Sequence, residues 1–330
     1  MIPKLAPAAR WALASLSLSM LMPSLDTSIA NAALPTLAHA FGAPFAQVQW
    51  IVLAYLLAIP TLIVGAGRLG DIVGRRRLLL AGICLFTLAS LLCGIAPTLW
   101  LLVGARVAQG LGAATMMALT VAFVGETVPK ARTGAAMGLL GTMSAIGTTL
   151  GPSFGGILMS ALGWRAIFLV NVPLGVLNVI LAYRYLPARP RAGKAARPRF
   201  DHLGTLLLAL TLAAYALALT LGRGRVGPLN TALLAAAGIG GALFLRVEAR
   251  AAAPLIRLAM FRAPLLSASL AMSALVSTVI MTTLVVGPFY LSRGLGLDTA
   301  LVGLALSVGP LVAALSGVPA DWSTGLAPRA

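Results

Sequence analysis

Nine stretches of this chain contain no Asp, Glu, Lys or Arg: 27–67, 78–105, 107–125, 133–164, 166–183, 203–222, 226–245, 263–292 and 299–320. Each is long enough for a helix of about 17–25 residues to cross a ~30 Å hydrocarbon core. Only 31 of the 330 residues are charged, 24 basic and 7 acidic. A soluble domain of this length would carry about a quarter, on the order of 80. Such a chain cannot cover a water-facing surface, so a soluble globular protein is excluded. The expected class is an all-α polytopic membrane protein.

Ten spans follow, at roughly 11–33, 47–67, 77–96, 98–124, 133–159, 165–186, 203–222, 229–247, 264–291 and 300–318. With the N-terminus in the cytoplasm, 19 of the Lys and Arg residues fall inside, among them Lys4, Arg10, Arg75 to Arg77 and Lys130. Only Arg165, Arg223, Arg225 and Arg293 fall outside, and Arg106 lies within a span. This positive-inside bias sets the expected orientation. The net charge of +17 raises the question of nucleic acid, but phosphate-binding proteins gather cations on one solvated face. Here they sit between apolar runs, so nucleic acid is not an expected partner. Lys4, Arg10 and the following apolar run loosely imitate a cleavable signal peptide. The embedded Asp26 and nine further spans favour a retained first helix.

Residues 187–202 are Pro-rich and basic and show no helical period, which reads as a cytoplasmic linker with some affinity for anionic lipid. It divides the chain after six spans. Cys84 and Cys93 lie nine residues apart in span 3, on opposite helix faces, and cannot bridge each other. The two histidines, His39 and His202, sit in loops on opposite sides. Neither a metal-ligand cluster nor a nucleophile–base set is evident, so neither an enzyme nor a cofactor is expected.

Residues 67–77 read GRLGDIVGRRR. Gly67 and Gly74 allow a tight turn, Asp71 supplies an anion, and Arg75, Arg76 and Arg77 supply cations. The spacing G-x-L-x-D-x-x-G-R resembles the signature loop between the second and third helices of the major facilitator superfamily. Ile72 departs from it, because a basic residue is usual there. Span 1 contains LDTSIANAALP, Leu25 to Pro35, similar to the first-helix signature of the fourteen-helix drug:proton antiporters, with Ser28 where Thr is usual. Span 4 carries Arg106, Gln109 and Gly110 as R-x-x-Q-G, which resembles the superfamily's fourth helix. Span 5 places Gly138, Gly147, Gly151, Pro152, Gly155 and Gly156 in a pattern like that of the antiporter branch. The run Trp164 to Pro173 is similar to the opening of that family's sixth helix. The resemblance covers the chain up to about Pro319. It implies a major facilitator fold and proton-coupled efflux of small amphipathic or cationic compounds from the cell, through the inner membrane.

Asp26 and Arg106 are the two charges placed inside the bilayer, where each costs roughly 2.5–3.5 kcal/mol on insertion scales. Asp26 lies 15 residues past Trp11, about 22 Å from the cytoplasmic end. Arg106 lies eight residues past Thr98, about 12 Å from the outer end and ~18 Å from the cytoplasm. A pair or a water-bridged contact is therefore feasible. Two roles are open. Asp26 takes up and releases a proton, with Arg106 favouring the carboxylate and desolvation favouring the acid, or the two form a static pair between spans 1 and 4. The resemblance links both positions to coupling.

Gly147, Gly151 and Gly155 recur every four residues and line one face for close helix packing. Pro152 frees a backbone carbonyl and bends the helix. By resemblance this face meets the second bundle, where Gly303 and Ser307 offer small residues. Asn31 and Gln109 could touch substrate, and Asn171 and Asn178, like them, could simply bond across helices.

The expected organisation is a six-helix bundle over 1–186, the linker 187–202, and an extra pair with its following loop over 203–263. A partial second bundle covers 264–319, and a tail over 320–330 forms no span. A back-translation of that tail with one inserted base restores the family's degenerate second loop, so a reading frame lost near Ala320 is expected. The alternative function is a transport-inactive membrane fragment or interaction partner.

Overall fold

The computed structural model describes residues 6–187, 202–220, 227–251 and 262–296, together with Met260, Ala305 and Val308. Among these residues every regular element is helical. The long helices are α1 (Pro7–Phe41), α3 (Trp50–Val73), α4 (Arg75–Ile95), α5 (Leu99–Thr127), α6 (Thr133–Leu162), α8 (Asn171–Tyr185), α9 (His202–Thr220), α10 (Pro228–Arg250) and α11 (Pro264–Phe289). Two short helices, α2 (Phe45–Val48) and α7 (Ala166–Leu169), complete the set. The first nine expected spans coincide with helices. Of the tenth only Ala305 and Val308 are described, both helical. Residues 188–201 of the linker, Gly303, Ser307 and the 320–330 tail lie outside the described residues.

Six of the described helical segments are long and apolar enough to cross a membrane. Over their described residues α9 and α11 count as shorter apolar helices, and the first helix is more polar, with Asp26, Asn31 and a series of serines along it. At 35 residues it is about 52 Å long, more than a ~30 Å core requires. It runs past residue 33 to Gly42, whose left-handed φ of 55° turns its amide back to the carbonyls of Ala38 and His39. Span 6 divides into α7 and α8. Pro173 has no N–H for the carbonyl of Leu169, the last residue of α7, and stands in the first turn of α8, where a helix tolerates proline.

The stretch 67–77 also differs from the expected loop. Gly67 lies inside α3, and Gly74 alone separates α3 from α4. No proline interrupts the run from Gly67 to Val73, so the helix simply continues. At Gly74 a φ of 103° makes the turn, in a region L side chains rarely adopt.

The first helix packs against α5, α6 and α8, while α3 and α4 close on α5. The hairpin of α9 and α10 rests on α3 through α9. Two apolar clusters fill the bundle. One includes Leu16, Met22, Tyr55, Phe86 and Phe123. The other includes Leu25, Ile29, Ile51, Leu102 and Phe168. Met22 of the first cluster and Ile29 of the second flank Asp26 in sequence, so this acid lies where the two clusters meet.

The glycine face of α6 meets α1, and Gly303 and Ser307, expected to face it by resemblance, lie outside the described residues. A Cβ on Gly147 would lie 2.8 Å from the Leu21 carbonyl oxygen and 2.9 Å from the Leu25 nitrogen. One on Gly151 would strike the Ser28 side chain, and one on Gly155 would lie 2.9 Å from the Ile29 side chain. Absent side chains let two backbones approach, and α1 occupies the whole of that stripe. Gly156, on another face, has nothing within 4 Å of its would-be Cβ.

Candidate functional site

Asp26 and Arg106 meet at the junction of the clusters. Both are sealed from the surface, at 2% and 0% exposure. Arg106 Nη1 pairs with Asp26 Oδ2. The guanidinium also donates from Nε to the Ile51 carbonyl at 3.0 Å. Its carbon lies 4.2 Å from the centre of the Tyr55 ring and 5.7 Å from that of Phe168. A planar cation between aromatic faces gains attraction that a desolvated site strengthens.

The carboxylate is held by two further donors. Gln109 lies three residues beyond Arg106, on the same helix face. Its Nε2 donates to Asp26 Oδ1 at 2.9 Å and to Ser90 Oγ at 2.8 Å, while its Oε1 accepts from Arg106 Nη1 at 2.6 Å. Asn171, at the start of α8, donates from Nδ2 to the same Oδ1 at 2.8 Å. The acid on α1 is thus joined to α4, α5 and α8 at once. Gln109 is fully buried within this network. Asn31 is half-buried and donates to the Thr27 carbonyl of its own helix at 3.0 Å. The fourth amide, Asn178, accepts from Ser15 at 2.7 Å and donates to Ser19 at 2.8 Å, tying α8 to α1 nearer the N-terminus.

A second charged group forms around the α3–α4 turn. Arg75 pairs with Asp71 at 2.9 Å and with Glu126 at 2.7 Å. Sequence reasoning missed Glu126, at the end of α5, because 51 residues separate it from Arg75. Arg76 donates to the Tyr183 carbonyl and lies 5.1 Å over that ring, which ties α4 to the end of α8. Asp71 is 43% exposed and Arg75 34%, and solvent screens pairs of this kind. Asp71→Asn is therefore expected to cost less than about 1 kcal/mol of stability. Thermal unfolding in detergent micelles checks this, and a loss several-fold larger would show the pair to be structural.

Among the described residues no group of three or more His, Cys, Asp or Glu could hold a metal ion. Cys93 is buried and Cys84 exposed, and both are free thiols.

A buried acid–base pair in an all-helical bundle fits several membrane folds, and sequence comparison decides between them. The family profile described as Major Facilitator Superfamily matches residues 16–327. The chain belongs to the major facilitator superfamily. This superfamily member is 34% identical over 301 residues to the uncharacterized transporter YebQ of Escherichia coli (strain K12), covering 91% of this chain and 65% of YebQ. It is 39% identical over 248 residues to the multidrug resistance protein Stp of Mycobacterium tuberculosis (strain CDC 1551 / Oshkosh), covering 74% of this chain and 46% of Stp. The chain therefore spans about half to two thirds of the length of these curated relatives. Its fold is similar to that of the major facilitator superfamily proton:xylose symporter XylE, with a TM-score of 0.62, 18% identity, and coverage of 94% of this chain and 68% of that one. The family match and the helical fold agree with a multi-pass membrane protein of this superfamily. The matched stretch runs past Pro319 into residues 320–327.

Proposed function

We propose that this chain works in proton-coupled efflux of small amphipathic or cationic compounds by alternating access. The observation that carries the reading is the Asp26 carboxylate, buried in the first bundle against Arg106, Gln109 and Asn171. In such a place burial favours the neutral acid, while the cation and amide donors favour the anion. Any movement that separates α1 from α5 or α8 removes donors and shifts that balance toward protonation. Proton uptake and helix rearrangement are then one event, and a cationic substrate competes with the proton.

The other site residues take supporting roles in this scheme. Asp71, Gly74, Arg75 and Arg76, with Gly67 in the preceding helix, form a gate that ties the α3–α4 turn to α5 and α8. Gly147, Gly151, Pro152 and Gly155 give α6 a smooth track along α1, and Gly156 keeps the neighbouring face of the same turn small. Asn31 lies five residues beyond Asp26, half-buried, and is a substrate contact, while Gln109 acts by positioning the carboxylate. The 19 cations assigned to one side and four to the other support a cytoplasmic N-terminus in the inner membrane. The multidrug name of a relative 39% identical supports the substrate class.

The test is dye efflux from proteoliposomes under an imposed pH gradient, with wild type beside Asp26→Asn. Efflux that needs the gradient in wild type and is lost in D26N supports the reading. Unaltered gradient-driven efflux by D26N sinks the role of Asp26. Absence of gradient-driven efflux in wild type overturns the reading as well.

A further inference from the structure

Asp26 occupies one face of α1, and two residues further on, 200° around the helix, Ser28 occupies the other. Ser28 Oγ donates to the carbonyl oxygen of Thr148 in α6 at 2.7 Å. In an unbroken helix that carbonyl would accept the N–H of residue 152, but residue 152 is proline and has none. The hydroxyl of α1 thus fills the hydrogen bond that the proline of α6 leaves open. Gly151 makes the approach possible, because a Cβ there would collide with the Ser28 side chain. One turn earlier Ser24 and Ser144 share a hydrogen bond of 2.7 Å, with the same offset of 120 residues. The two helices therefore run parallel in fixed register, and the Ser28 contact sits one turn before Pro152.

We propose that Ser28 is a positioning residue through which the protonation state of Asp26 sets the bend of α6. This rests on the proton-coupling reading of Asp26. The ionisable groups that face Asp26 are Arg106 of α5, Tyr55 of α3 and Cys93 of α4. The helices α2, α6 and α7 carry none, and those of α8 lie at its far end, Tyr183 to Tyr185. Of the facing groups only the carboxyl ordinarily changes charge on the acid side of neutrality. When Asp26 changes partners, α1 turns or shifts. Ser28 then carries that motion to the one carbonyl of α6 whose satisfaction depends on α1.

The experiment uses the full chain in liposomes, with the exposed Cys84 replaced by Ser and spin labels at S160C on α6 and L101C on α5. The interlabel distance is measured at acid and neutral pH. The expected result is a pH-dependent shift in wild type, lost in D26N, lost in Ser28→Ala and restored in Ser28→Thr, which keeps the hydroxyl. A wild-type shift that survives unchanged in S28A overturns this proposal alone, and so does an S28T variant that behaves as S28A. A wild type with no shift overturns both this proposal and the proton-coupling role of Asp26. A melting-temperature cycle guards against simple misfolding. Pro152→Ala restores an N–H for the Thr148 carbonyl, so S28A should lower the melting temperature with Pro152 present and leave it unmoved in the P152A background. Equal lowering in both backgrounds overturns the hydrogen-bond assignment.

Discussion

Arg106→Ala is expected to remove about 3–5 kcal/mol of folded stability, the characteristic loss when one member of a buried ion pair is deleted. Most of that loss comes from what remains behind. Asp26 would be left in an enclosed layer with two amide donors and no cation, and the Ile51 carbonyl would lose its partner. A second substitution that neutralises the orphaned acid should therefore recover part of the loss. The double variant D26N/R106A is expected to be more stable than the sum of the two single losses predicts, a coupling of the kind measured for residues in direct contact. Arg106→Lys should not rescue, because an ammonium has neither the fork that reaches Ile51 and Asp26 together nor a plane to lie against Tyr55. Chemical unfolding in detergent micelles reads all four proteins. Strict additivity of the single losses would mean that the two side chains do not depend on each other.

Gly147→Ala and Gly156→Ala should part company on the same helix. At Gly147 the added methyl meets the Leu21 oxygen and the Leu25 nitrogen, both backbone atoms, at 2.8 and 2.9 Å. No rotamer can yield there, so α1 itself must withdraw. Overpacking of this sort costs about 1–3 kcal/mol. At Gly156 the methyl enters open space, and the gain in helix propensity, about 0.5–1 kcal/mol, makes the change neutral or mildly stabilising. Melting temperatures in micelles distinguish the two variants. Equal effects would show that the α1–α6 contact is looser than its geometry.

Much of this architecture is legible without coordinates, because a bilayer asks little of a sequence beyond length and apolarity. Nine expected spans appear as helices, and simple depth arithmetic brings Asp26 and Arg106 to one height. What escapes is what depends on neighbours distant in sequence. Glu126 looks like an ordinary acid at a helix end, and only the fold swings it onto Arg75. The glycine stripe of α6 announces a close helix without saying which, and the fold supplies α1. Gly67 shows the converse failure. Its motif suggests a loop, yet the backbone carries the residue through as helix. Asn171, like Asn178 an amide that could bond across helices, is a partner of Asp26, 145 residues away along the chain.

That separation has a consequence for how the protein is made. Ribosomes add about 5–20 residues per second, so Asn171 follows Asp26 by on the order of ten seconds, and Arg106 emerges between them. Until Arg106 and Gln109 are made, α1 is already synthesised and its acid has none of the donors that later surround it. Nothing offsets the cost of placing that acid among lipid until the fourth and sixth spans are delivered. The residue at the heart of the finished bundle thus gains its partners only as the later helices are made.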